Sequence, residues 1–289
     1  MKKIILITVI LLAAIGCDYK VQLPESDPQI VVEGWIEDGG FPIVMVTTTV
    51  PITEVVTDMS QLKNYIVNWA KVSVSDGERD IVLIGQKNDD YFPPYIYTTT
   101  ELIGEAGKNY RLKVEYSGRT VTATTSIPKP KSLEYIKVRQ AKDNKQKFYL
   151  IGGLRDDPQT KDFYKVFSKV YGKDSTYVSS FLGLTDDDVL NEELEEITIN
   201  NGSGKIGESL NSYFSANDFV SIRFTTLDRQ SWIYWNDFEE IQSLSSTSIF
   251  TISTNIRSNI KGGLGYWAGY GSSYYKVNIP DSLRAGRIH

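Results

Sequence analysis

Asn109-Tyr110-Arg111-Leu112-Lys113-Val114-Glu115-Tyr116-Ser117-Gly118-Arg119-Thr120-Val121-Thr122-Ala123-Thr124-Thr125-Ser126-Ile127 decides the fold class. Tyr110, Leu112, Val114 and Tyr116 alternate with polar residues, the period of a strand that buries one face. Ser117-Gly118 turns the chain, and Val121, Ala123 and Thr125 resume the alternation, so the stretch reads as a β-hairpin. The same signature spreads outward. Val72 and Val74 alternate in Ala70–Ser75, Asp76-Gly77 turns, and Arg79–Ile84 returns. Gln29–Ile36 places Ile30, Val32, Gly34 and Ile36 on one face, and Pro42–Val50 and Tyr95–Thr100 are further strands. About seven strands in about 100 residues is the count of an immunoglobulin-like β-sandwich. Tyr110, three residues after Gly107, stands where a tyrosine-corner bond would form. Pro51–Asn68 is long for a hairpin loop and is expected to cover the sandwich or reach a partner.

Pro128-Lys129-Pro130-Lys131 reads as the boundary of this unit, because two prolines interrupt strand pairing and stiffen a joint. Beyond it, Leu133–Val138, Lys147–Leu154, Phe163–Tyr171 and Phe219–Leu227 have strand patterns, and Arg155-Asp156-Asp157-Pro158 is a turn. In Phe163–Tyr171, Phe163, Lys165, Phe167 and Lys169 face one way and Tyr164, Val166, Ser168 and Val170 the other. Thr185-Asp186-Asp187-Asp188 is expected to start a helix, with a cap followed by acids that suit the dipole. Asp228 caps an amphipathic helix carrying Trp232, Trp235, Phe238, Ile241 and Leu244 near one face. Two aromatic strands, Gly265–Tyr270 and Tyr274–Ile279, follow a Gly-rich stretch. The expectation is a mainly β chain: an N-terminal immunoglobulin-like β-sandwich over 29–128, then a β-rich sandwich or barrel-like domain over 132–289 with one packed helix near 229–244.

The N-terminus speaks to location. Lys2 and Lys3 precede an apolar run, Ile4–Ile15, which is shorter than the roughly 20 residues that span a bilayer. Ala13, Ala14 and Gly16 are the small residues of a cleavage site. Ala14-Ile15-Gly16-Cys17 reads as a lipobox, with Ala14 where leucine is usual, so Cys17 becomes the lipidated first residue of the mature chain. The alternative is an ordinary signal peptide with an incidental cysteine. Residues 1–16 are then the leader and 17–28 a polar tether with two prolines. Cys17 is the sole cysteine, so its acylation leaves no disulfide.

Composition excludes several functions. The net charge is −5 with no long basic run, which argues against nucleic-acid binding. The sole histidine is His289, so an interior Ser-His-Asp triad, Cys-His dyad or His-based metal site is ruled out. No cofactor is expected. The 18 tyrosines fit a sheet protein and also suit ligand contact.

Five segments resemble a known family. Ile30-Val31-Val32-Glu33-Gly34-Trp35-Ile36, Ala70-Lys71-Val72-Ser73-Val74-Ser75-Asp76-Gly77 and Gly107-Lys108-Asn109-Tyr110-Arg111-Leu112 are joined by Thr122-Ala123-Thr124-Thr125-Ser126-Ile127-Pro128 and Ser258-Asn259-Ile260-Lys261-Gly262-Gly263-Leu264-Gly265. With the lipobox, they resemble the uncharacterised outer-membrane lipoproteins of Bacteroidota called domain of unknown function 4249. The resemblance is weakest from Gly172 to Asn217. It implies an anchored β-rich protein, often encoded beside a TonB-dependent outer-membrane transporter, and supplies no catalytic residues.

The remaining motifs have competing readings. Gly202-Ser203-Gly204-Lys205-Ile206-Gly207 fits a dinucleotide fingerprint with Asp228 downstream, but its surroundings read antiparallel and the compartment lacks free nucleotides, so a flexible Gly-rich loop is the favoured reading. Asp186, Asp187 and Asp188, with Asn191, Glu192, Glu193, Glu195 and Glu196, offer a weak site for a hard cation such as Ca²⁺, against a solvated acidic face. Asp89, Asp90, Asp156, Asp157, Asp237, Glu239 and Glu240 are all eligible for a glycosidase pair, which singles out none. The ring clusters are the best ligand-binding candidates: Tyr91, Phe92 and Tyr95 around two prolines, and Tyr266, Trp267 and Tyr270 in the Gly-rich segment, with Tyr274 beside them. Their alternative is sheet packing, as expected for Trp232, Trp235 and Phe238.

The functional expectation is a non-enzymatic lipoprotein held on the outer membrane at the cell surface, helping a TonB-dependent transporter capture a glycan, peptide or metal complex. A fimbrillin-like or adhesin subunit is the structural alternative, and a carboxylate-based glycan hydrolase the enzymatic one. Strand donation would need a basic processing site, and the tether holds only Lys20.

Overall fold

The computed structural model describes residues 27–51, 59–155, 160–186, 194–202, 213–245 and 256–281. The first unit contains β1 (Ile30–Glu37), β2 (Ile43–Thr48), β3 (Lys71–Ser75), β4 (Asp80–Val82), β5 (Ile84–Lys87), β6 (Tyr95–Thr98), β7 (Asn109–Tyr116) and β8 (Arg119–Ser126). The β7–β8 hairpin pairs from Asn109↔Ser126 to Tyr116↔Arg119 around the turn at Ser117-Gly118. One sheet runs β4-β3-β7-β8 and the other contains β1-β2-β6-β5, the two-layer order of an immunoglobulin-like sandwich. Ile30, Val32 and Ile36 from one layer meet Val72, Leu112 and Val114 from the other in a shared core. The Tyr110 hydroxyl accepts the Glu105 N–H at 2.9 Å, the bond expected of a tyrosine corner. Arg79–Ile84 does not form one strand. Leu83 donates its N–H to Val72, and the chain crosses from one layer to the other between β4 and β5. Within Pro51–Asn68, a short 3₁₀ turn, Met59–Tyr65, leads Val67 into the core, so the part from Met59 to Asn68 packs on the sandwich, and residues 52–58 lie outside the described residues.

The second half adds β9 (Leu133–Gln140), β10 (Lys147–Arg155), β11 (Phe163–Val170), β12 (Val178–Asp186), β13 (Leu194–Ile199), β14 (Phe214–Ser215), β15 (Phe219–Leu227), helix α1 (Arg229–Ser245) and β16 (Leu264–Asn278). Thr185 and Asp186, expected to open a helix, are instead the end of β12, extended beside Tyr164 and Phe163. The two expected aromatic strands, Gly265–Tyr270 and Tyr274–Ile279, are joined, because Leu264–Asn278 is one 15-residue strand.

That strand joins the halves. Leu264–Tyr270 pairs in parallel with Val31–Glu37, and Tyr270–Asn278 pairs antiparallel with Leu227–Phe219. An eight-stranded sheet results, in the order β12-β11-β15-β16-β1-β2-β6-β5, drawing strands from both sides of Pro128–Lys131. The segment after Pro128 is bonded to this sheet: the Lys131 amine meets Asp162 at 2.6 Å and the Lys131 carbonyl accepts the Ser273 hydroxyl at 2.8 Å. Gly265 makes the strand pairing possible. Its φ is +105° and a Cβ there would lie 1.8 Å from the Val32 carbonyl oxygen.

Strand parity decides what each face does. Trp267, Tyr275 and Val277 point to one face of β16, where the first sandwich and a second layer of β9, β10, β13 and β14 cover them. The second half is therefore also layered sheet on sheet, and among the described residues no sheet closes into a barrel. Tyr266, Ala268 and Tyr270 point to the opposite face, which α1 covers with Trp235. Asp228 caps α1 as expected, accepting the Ser231 N–H at 2.8 Å.

Candidate functional site

Helix α1 covers only part of the open face of the eight-stranded sheet. Beside it lies a cleft of about 670 Å³. Of the β1 residues alternating with the core set, Glu33, Trp35 and Glu37 line the cleft. Arg223 comes from β15, Phe167 and Lys169 from β11, and Tyr266 and Tyr270 from β16. The Asn88–Pro94 loop supplies one wall. It is folded by bonds from the Asp90 N–H to the Asn88 side chain (3.0 Å) and from the Tyr91 N–H to the Asn88 carbonyl (3.3 Å). These set Tyr91 6.1 Å from Trp35, ring centre to ring centre, at the cleft's edge with Phe92.

The floor is polar in a controlled way. Tyr266 stacks on Tyr234 at 4.0 Å and directs its hydroxyl to Glu33 at 3.3 Å. The Tyr270 hydroxyl accepts the Trp235 indole N–H at 3.1 Å. Burial pushes both phenols up, so they remain protonated. Glu33 is crowded by protein yet opens onto the water of the cleft, and this crowding pushes its carboxyl up to about 6, against the opposing Tyr266 bond. The Glu37 carboxylate accepts hydrogen bonds from Tyr274 at 2.6 Å and Ser272 at 3.1 Å. Arg223 is 6 % exposed and sits 4.1 Å over the Phe167 ring. Burial alone would lower its pKa, but Glu37 and the tyrosines around it together raise it, so the cation is secure.

A second buried charge lies under α1. Lys165 is fully buried, faces the Trp235 ring at 5.2 Å and pairs with Glu239 of the helix. Burial lowers the lysine pKa and the Glu239 contact opposes that. This pair fastens the helix that bounds the cleft.

The candidates from the sequence divide. Tyr91, Phe92, Tyr266 and Tyr270 come together in the cleft. Tyr95 turns away, donating its hydroxyl to the Asn68 carbonyl at 3.2 Å. Trp267 is fully buried in the first sandwich, its indole N–H on the Tyr110 carbonyl at 3.1 Å. Asp186 ends β12, Asp187 and Asp188 lie outside the described residues, and among the described residues no group of three or more His, Cys, Asp or Glu could hold a metal ion. Cys17 and residues 1–16, expected to form a leader, also lie outside them, as do Asp156, Asp157 and most of the Gly202–Gly207 motif. Of the described acids eligible for hydrolysis, Asp90 lines the cleft. Asp89 pairs with Lys87, Asp237 with Arg257 and Glu239 with Lys165.

Glu33, Trp35, Glu37, Tyr177 and Arg223 were not singled out from the sequence. The available signal is charge inside central strands: Glu33 and Glu37 on the non-core parity of β1, and Arg223 amid the apolar and Thr residues of β15. Of these Arg223 is buried, and a buried charge is expensive without a purpose.

Fold and cleft together define a layered β protein with a pre-formed, aromatic-walled pocket of small-ligand size. The sequence matches the family described as Domain of unknown function (DUF4249) over residues 17–276, and the chain belongs to that family. A comparison with curated proteins finds no match.

Proposed function

We propose that the chain is a non-enzymatic lipoprotein of the bacterial outer membrane, facing the cell surface, which holds a small nutrient for a TonB-dependent transporter. The observation that carries this reading is the cleft, where rings and unlike charges are set on the strands of one continuous sheet and need no rearrangement to receive a ligand. The lipobox at Cys17 supports the anchor, and the Bacteroidota lipoproteins that the sequence resembles support the transporter as partner. Two acyl chains hold a protein firmly where one does not.

Strand donation, as in a fimbrillin-like subunit, has less support because β16 already fills the flank of β1. The hydrolase reading has one feature in its favour, the raised pKa of Glu33 in a cleft. Turnover of an envelope polysaccharide that disappears in Glu33→Gln would move the reading to that alternative.

The test is purification of the tagged full chain from detergent-solubilised envelopes of its native host. Recovery of a TonB-dependent transporter is expected. Reproducible recovery of the lipidated chain without one would overturn the transporter partnership.

A further inference from the structure

A charge in the middle of a buried strand needs partners, and Arg223 has few. Its guanidinium carries five N–H donors. Among the described residues it makes no hydrogen bond, and its Nε is buried without a partner. The nearest carboxylate oxygen, on Glu37, is 3.7 Å from Nη1, beyond hydrogen-bond reach. Glu37 is engaged instead by Tyr274 and Ser272. What fixes the guanidinium is a cage of rings, with Phe167 at 4.1 Å, Tyr177 at 5.1 Å and Tyr270 at 5.4 Å. Tyr177 is itself held by a 2.7 Å bond to Ser221. The cation is thus oriented by packing while its hydrogen-bonding capacity is unspent.

We infer that the cleft selects small organic acids carrying a single carboxylate beside a planar or apolar body. This rests on the reading of the cleft as a ligand site. The carboxylate takes the paired terminal N–H groups of Arg223, a geometry the planar fork matches and a lysine does not. The body of the ligand lies against Trp35 and Tyr91. A monoanion fits better than a phosphate dianion, because Glu33, Glu37 and Asp90 line the same cleft and repel a second charge. Glu33 and Glu37 are four residues apart on β1, so their Cα atoms are separated by about 13 Å. A molecule of dipeptide or aromatic-acid size spans that length, with Glu33 accepting from a donor at the far end.

Titration calorimetry on the full chain tests this with N-acetyl-tyrosine and its neutral amide. Para-hydroxyphenylacetate and Gly-Tyr serve as the free-acid and peptide-end arms, and phenyl phosphate as the dianion. The acid is expected to bind about tenfold more tightly than the amide, the scale of one charged hydrogen bond. Arg223→Met should erase that preference, and Arg223→Lys should weaken acid binding by about tenfold. Glu37→Gln, which removes the competing negative charge, should tighten acid binding several-fold and leave the amide unmoved. Circular dichroism confirms that each variant is folded. Equal affinity for acid and amide would overturn the carboxylate preference while leaving a ligand cleft. Tighter binding of phenyl phosphate, no binding by any carboxylate, or an unchanged affinity in Glu37→Gln would overturn it as well. Recovery of a transporter, scored separately, decides the wider reading.

Discussion

Replacing Trp267 and replacing Trp35 should have opposite consequences, although the two sit side by side across β1 and β16. Gly34 is opposite Trp267 and Trp35 is opposite Ala268 in the parallel register, so neighbouring positions send their rings to opposite faces of the sheet. Trp267 is 0 % exposed and fills the first sandwich over Gly34, where an added Cβ would come within 3.0 Å of its ring. A buried Trp removes roughly 200 Å² from water, and about 25 cal/mol/Å² gives about 5 kcal/mol. Measured Trp→Ala losses in cores are about 3–5 kcal/mol, and the Tyr110 carbonyl would lose its donor as well, at about 1 kcal/mol. Trp267→Ala should therefore lose about 4–5 kcal/mol of the 5–15 kcal/mol typical of a folded domain. Trp35 is half-buried at the cleft, and Trp35→Ala should lose about 1 kcal/mol while abolishing ligand contact. Urea denaturation followed by circular dichroism measures both. A Trp267→Ala loss below about 1 kcal/mol, or a larger loss for Trp35→Ala, would refute the assignment of faces.

Three further outcomes follow from single interactions. Glu239→Ala strands the fully buried Lys165 and Lys165→Met strands the Glu239 carboxylate, whose side chain is 14 % exposed, so each should lose about 3–5 kcal/mol, whereas the double replacement Lys165→Met with Glu239→Leu should stay within about 1 kcal/mol of wild type; a small effect in both single variants would mean the pair does not fasten α1. Crowding raises the folded-state pKa of Glu33 from 4.5 to about 6, so the folded chain binds that proton more tightly than the unfolded chain and stability falls as pH rises through this window. The urea midpoint of wild type should drop across that range relative to Glu33→Gln, and parallel curves for the two would discount the shift. Gly265→Ala must place a side chain at φ +105° against the Val32 carbonyl. The conformation alone costs about 1–3 kcal/mol, so β16 should detach from β1, read as fast amide exchange at Val32 and Gly34.

Local pattern made much of the fold legible. The β7–β8 hairpin, β15 and the Asp228-capped helix follow from alternation, a Gly turn and a cap, all of which act over a few residues. The pairing of β1 with β16 does not, because it joins segments more than two hundred residues apart and leaves no periodicity of its own. The strands β12 to β14 were missed where acidic and Gly-rich stretches beside them hid the alternation, and Thr185-Asp186 looked like a helix start because caps and strand ends use the same residues. The ring candidates split for a related reason. In Tyr266-Trp267 both faces of the strand carry an aromatic, so composition marks the segment while only tertiary parity says which ring meets the cleft. Arg223, Glu33 and Glu37 gather only when the shared sheet forms, which is why no sequence motif announces the site.

The central claim is that the open face of the shared sheet is a ligand site. Crystals of the full chain soaked with a library of small aromatic acids, amides and sugars test it most directly. Density recurring against Trp35, Tyr91 and Arg223 is the predicted result, and bound fragments scattered elsewhere with none between those three residues would contradict it.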